Sequence, residues 1–157
     1  MVGSDQGKKP EKVSSSPSGT DRGASTDREA FKVGDTVAAD GWELKVNEVI
    51  DPFVSDNQFT QPEAGKRFVV VDLTVKNTQD KARTASSLFT SELRDEEGRA
   101  YSRSIVVGVD SAPDGELAPG EQRRGQMAFE VPTASKELRL DYTNGIFGHR
   151  VVIDLTR

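Results

Sequence analysis

The chain has 157 residues, no cysteine and a formal charge of −5, with 26 acidic against 21 basic side chains. The missing cysteine excludes disulfides, thiolate catalysis and Cys-ligated metal centres, and the acidic balance makes a nucleic acid an unsuitable partner. No apolar run approaches the roughly 20 residues that a membrane-spanning helix needs.

Residues 1–30 balance five basic against five acidic groups and are rich in Ser, Gly and Pro. Between positions 3 and 30 only Val13, Ala24 and Ala30 carry apolar side chains. Such a segment buries too little to offset ordering costs of about 1–2 kcal/mol per residue, which predicts a disordered linker. A linker of this kind suits a protein that must clear a cell envelope. The expected location is therefore extracellular, or the cell surface through an N-terminal lipid anchor. On this reading an export signal has been removed, the lipid-bearing Cys lies outside the sequence, and Met1-Val2 replaces the processed end.

From residue 31 to residue 157 the pattern changes to short apolar/polar alternations separated by Gly, Pro, Asn and Asp. Phe31 to Ala38 predicts a short first strand with a Gly34-Asp35 turn. Trp42, Leu44 and Val46 alternate with Glu43, Lys45 and Asn47, a half-buried strand by its period of two. Glu48 breaks the alternation before Val49-Ile50, which predicts a bulge near Asn47–Glu48. Residues 68–76 place Val69, Val71, Leu73 and Val75 on one face. The opposite face starts apolar (Phe68, Val70) and turns polar (Asp72, Thr74, Lys76), as expected of a central strand covered at one end only.

Phe89, Ser91 and Leu93 lead into a hairpin turn at Asp95-Glu96-Glu97-Gly98. Residues 99–107 return, with Tyr101 and Ile105 predicted on one parity, before a Gly/Pro-rich loop over 108–120 in which Leu117 plugs the core. Gly125, Met127, Phe129 and Val131 face inward until Pro132 stops the strand. Leu138, Leu140 and Tyr142, then Val151, Ile153 and Leu155 after the Asn144-Gly145 turn, complete the domain. About eight short strands with regular turn signals predict an antiparallel β-sandwich over residues 31–157.

Several of these pieces occur in one recognisable order: Val33-Gly34-Asp35-Thr36, the strand 68–77 ending in Asn77, the turn 95–98 followed by Tyr101, Leu117-Ala118-Pro119-Gly120-Glu121, Gly125, and Phe129-Glu130-Val131-Pro132. The set resembles the immunoglobulin-like domain-of-unknown-function family of Gram-positive cell-surface lipoproteins. That family shares its fold with a small secreted mycobacterial protective antigen. The resemblance implies a secreted or lipid-anchored, non-enzymatic β-sandwich, and it supplies no catalytic residue.

The residues themselves offer few reactive constellations. His149 is the one histidine, and its parity with Val151 and Ile153 suits a turn or rim better than a triad. Asp95, Glu96 and Glu97 could hold a hard cation, but consecutive acids in a turn rarely converge. Asp110, Asp114 and Glu116 raise the same question in a second loop. Glu48 and Asp72 could be read as paired glycosidase carboxylates, although the single Trp42 faces the core and no sugar-stacking aromatics accompany them.

Residues 51–65 form a long connection for a sandwich and carry Phe53, Val54 and Phe59. Exposed aromatics on such loops are interface anchors, unless they fold back to cap the core. Ile146-Phe147 poses the same alternative. The expected function is a non-catalytic binding module whose partner is a protein or cell-wall component. Phe53, Phe59, Ile146 and Phe147 are its contact residues, and no cofactor is expected. Two other readings stay open: a metal- or ligand-binding protein using the acidic loops, and a passive spacer.

Overall fold

A computed structural model describes residues 11–13, 31–86, 91–143 and 150–156. Phe89, His149, Ile146-Phe147 and the Asn144-Gly145 turn lie outside the described residues. Alternation of apolar and polar residues gives strands here because successive side chains leave opposite faces of a pleated backbone. The two longest strands, β4 (Trp42–Phe53) and β5 (Lys66–Asn77), form the centre of a six-stranded sheet. Its other members are β1 (Glu11–Val13), β3 (Thr36–Ala39), β9 (Arg103–Ser104) and β11 (Gln122–Pro132), in the order β1-β3-β4-β5-β11-β9.

A five-stranded sheet faces it, built from β2 (Phe31–Lys32), β7 (Glu92–Arg94), β8 (Ala100–Tyr101), β12 (Arg139–Tyr142) and β13 (Val151–Asp154). A two-stranded ribbon of β6 (Arg83–Ala85) and β10 (Gly115–Leu117) completes the domain. No helix occurs among the described residues. Pairing is antiparallel except where β2 joins β13. The β-sandwich expected from the alternation is the observed fold.

Between the sheets lies one core. Val46, Val69, Val71, Leu73, Val75 and Phe129 from the large sheet meet Leu93, Leu140 and Ile153 from the small one, all essentially inaccessible. Burying one such Phe or Leu contributes about 1.5–3 kcal/mol. Trp42 joins this core with the Arg83 guanidinium stacked 4.4 Å from its ring centre. Leu117 is fully buried among the same residues.

The predicted bulge is present. Val46 pairs with Leu73 and Glu48 with Asp72, so Asn47 is the extra residue. After it the inward parity passes to Val49, and Ile50 turns to the outer face of the sheet. Two motif residues act at corners. Asn77 is buried; its amide donates to the carbonyls of Lys81 (2.9 Å) and Leu117 (3.0 Å), and its Oδ1 accepts from the Gln79 N–H at 3.0 Å. At Gly125 any Cβ would collide with the backbone of residues 111–113, which crosses directly over it.

The expectation for residues 99–107 is corrected. This run is two strands in different sheets: β8 pairs with β7, and β9 with β11. The chain crosses between layers at Ser102, so the parity of Tyr101 is not carried to Ile105. Ile105 is fully exposed, and Val106 is the buried neighbour. Within the segment read as a linker, Glu11–Val13 pairs along the open side of β3, where an edge offers free backbone N–H and C=O groups.

Candidate functional site

The outer face of the large sheet carries a second, smaller apolar cluster. Phe68, Val70 and Ala128 from β5 and β11 are covered by Val106, with Ile50, Phe53 and Val109 packed around them. Beside the cluster run two loops, residues 54–65 and 105–114, the second of which supplies the covering side chains Val106 and Val109. The Ser55 hydroxyl, itself buried, donates to the Val107 carbonyl at 3.2 Å and joins them.

The first loop is fixed at both ends. The Arg67 guanidinium forks onto the Asp51 carboxylate (2.6 and 3.1 Å) and also donates to the carbonyls of Pro132 (2.6 Å) and Ser135 (2.9 Å). Near its far end the Glu63 N–H donates to the Glu130 carboxylate at 2.7 Å. Inside the loop, Ser55 Oγ accepts from the Asn57 N–H (3.1 Å), and Asn57 Oδ1 accepts from the Phe59 N–H (2.7 Å). The Gln61 amide spans the turn, donating to the carbonyls of Ser55 (3.2 Å) and Asn57 (2.8 Å). Short polar side chains bonding backbone two residues away are what hold such turns.

The second loop is tied down by Gln126. Its side-chain oxygen accepts from the Asp110 N–H (2.9 Å), and its backbone N–H donates to the Ser111 carbonyl (2.9 Å). Held this way, the loops leave Val54, Phe59, Ile105 and Val107 in solvent, with Phe59 87% and Ile105 100% exposed. Exposed apolar side chains on a backbone held in place spare an interface the cost of ordering the loops that carry them.

The loop aromatics thus divide. Phe53 caps the outer cluster and is half-buried, whereas Phe59 does not fold back. Val54, from the same loop, joins Phe59 in solvent, and so do Ile105 and Val107, which the sequence reading did not single out as contact residues. A usable signal existed for the latter pair: in Ile105-Val106-Val107, three consecutive apolar residues cannot all face one side of a strand.

The acidic turn is spent on structure. Asp95 Oδ1 accepts from the N–H groups of Glu97 and Arg99, both at 2.9 Å, and Oδ2 accepts from the Tyr101 hydroxyl at 2.8 Å. Burial pushes the Asp95 pKa up, but these bonds outweigh it and the net shift is downward. Glu96 is lowered by N–H donors, its own and those of Lys136 and Glu137, and Glu97 pairs with Arg99 at 3.4 Å. Asp114 lies 3.8 Å from Arg103. Among the described residues no three His or acidic side chains are grouped to hold a metal ion.

Asp72 is neighboured by Glu48 across the strands, but it is held by Arg124 (2.7 Å), Asn47 (3.0 Å) and Gln126 (3.1 Å). Burial raises its pKa, and these donors together with the Arg124 charge bring it below the ordinary value. A glycosidase acid needs the opposite shift.

The model of the family described as Domain of unknown function (DUF4352) matches residues 31–152. An uncharacterized Bacillus subtilis (strain 168) protein, YxkC, is 30% identical over 112 aligned residues, covering 64% of this chain and 62% of that protein. The chain thus spans less than two thirds of that curated relative. Among solved structures, the yjhA protein from Bacillus subtilis gives a TM-score of 0.64 at 16% identity, covering 80% of this chain and 98% of that one. A candidate lipoprotein of Bacillus subtilis, ycdA, gives 0.63 at 15% identity, covering 77% of this chain and 38% of that one. The secreted protein MPT63 from Mycobacterium tuberculosis gives 0.55 at 13% identity, covering 83% and 99%. At these identities the likeness to solved structures is one of fold.

Proposed function

The chain belongs to the family Domain of unknown function (DUF4352), and we propose that it is a non-catalytic binding module working outside the cell or lipid-anchored at its surface. Its partner is a protein or cell-wall component, gripped by the two-loop rim. The observation that carries this reading is the exposure of Phe59 and Ile105 on loops hydrogen-bonded from within. Similarity in fold to a candidate lipoprotein and to a secreted protein supports the location. The acidic-loop alternative has no comparable support, since Asp95 and Glu96 are engaged by backbone N–H groups.

The test is co-sedimentation of the whole chain with isolated Gram-positive cell walls and with a surface-protein extract. The double variant Phe59→Ser, Ile105→Ser should keep its melting temperature and lose association by roughly tenfold or more, as for interface anchors. Equal association of wild type and variant overturns the rim as the binding surface, and no association of either favours a passive spacer.

A further inference from the structure

A different surface lies at the other end of the large sheet. There β3 reads Thr36-Val37-Ala38-Ala39, with neither charge nor proline. Such residues normally blunt an edge strand, whose free backbone groups otherwise invite another chain. Here the cover is supplied by Glu11–Val13, in register Glu11↔Ala38, Lys12↔Val37 and Val13↔Thr36.

That cover is short and poorly matched. Val37 is a core residue, 1% exposed, and residues directly opposite in a sheet belong to the same face. The position opposite Val37 therefore calls for an apolar residue, and the residue in register with it is Lys12. Beside it, Val37, Ala39, Trp42, Leu44, Tyr142 and Val151 line a small apolar recess that also borders Asp40. The edge thus combines unprotected backbone, an apolar recess and a weak occupant.

We propose that β3 is a strand-addition site, closed in cis by Glu11–Val13. Its occupant in trans is an extended segment of a partner protein that alternates apolar and polar residues, with an aliphatic residue in register with Val37. Main-chain bonds to β3 supply affinity, and the recess selects the aliphatic side chain. A second copy is a poorer occupant through its own N-terminal segment, which brings the same lysine. The cis strand competes with the partner, so apparent affinity falls with the fraction of molecules whose edge is closed.

The experiment uses the whole chain and a short synthetic Thr/Val-alternating peptide flanked by lysines, read by calorimetry and by amide hydrogen exchange at residues 36–39. Successive N–H groups of a strand point to opposite sides, so the variant Lys12→Pro, Val13→Pro removes whichever of them pairs with β3. It should bind the peptide about tenfold more tightly than wild type, because the competing strand is gone. Lys12→Val should bind it more weakly, its cis strand being the better match. A peptide with lysine at its centre should bind about tenfold more weakly to every form. Equal affinities across the three proteins, or unchanged exchange at 36–39 when peptide is added, overturn the proposal. Dimerisation of the double-proline variant without peptide, seen by sedimentation, overturns the partner assignment in favour of a second copy. Unchanged melting temperatures of both variants show that the readout concerns the edge.

Discussion

The outer face of the large sheet has two halves that use the same strands to different ends. In one half Phe68, Val70 and Ala128 lie under the 105–114 loop and are buried. In the other half, two residues further along β5 and β11, the equivalent positions are Asp72, Thr74, Gln126 and Arg124, polar side chains joined by hydrogen bonds, with Asp72 itself buried. Backbone and pleat are shared, so the difference lies in the partners: apolar side chains from the 105–114 loop in one half, hydrogen-bonding side chains in the other. A buried polar position on a sheet face is tolerated where its hydrogen bonds are made, and Asp72 has three such partners.

The largest expected effect comes from emptying the covered half. Phe68→Ala removes a ring that is 4% exposed and should cost about 3 kcal/mol, read as a lower midpoint in urea. An unchanged midpoint would mean that the loops rest on the sheet without contributing to stability. Gly125→Ala should cost about 2 kcal/mol, because a Cβ at that position drives residues 111–113 off the strand.

In the polar half, Asp72→Asn loses the Arg124 ion pair and should cost about 1–3 kcal/mol at neutral pH. Its sign with pH is fixed by the direction of the shift. Asp72 has a folded pKa below the ordinary 3.8, so its contribution is complete above that value and disappears as pH falls through the lower folded value. The gap between wild type and variant should close below about pH 4. A gap that widens on acidification would reverse the assignment. The smallest effect is expected at the rim, where Phe59→Ser should change stability by no more than about 0.5 kcal/mol, since an 87% exposed ring has little burial to lose.

The fold was legible because it rests on a two-residue period. The inward sets of β4, β5 and β11, the extra residue at Asn47 and the half-covered outer face of β5 can all be read from parity alone. The paths of the loops were not, for a physical reason: parity says which face a residue takes but not what lies over that face. Ile105 departs from the parity of Tyr101 because the chain changes sheets at Ser102, and the run Ile105-Val106-Val107 is the one local sign of it. Phe53 and Phe59 look alike in sequence. Their fates differ because Phe53 still pairs with Phe68 at the end of β4, while Phe59 sits beyond a turn held by Ser55, Asn57 and Gln61. The engagement of Asp95 with its own turn was partly readable, since Asp at the head of a four-residue turn commonly accepts from the N–H groups that follow.

The central claim is that the rim is held rigid in the free protein, its exposed apolar side chains presented in place. Backbone ¹⁵N relaxation of the unbound chain tests it most directly. Residues 54–61 and 105–109 should show order parameters near those of β4 and β5, about 0.85, whereas values below about 0.6 would contradict the account.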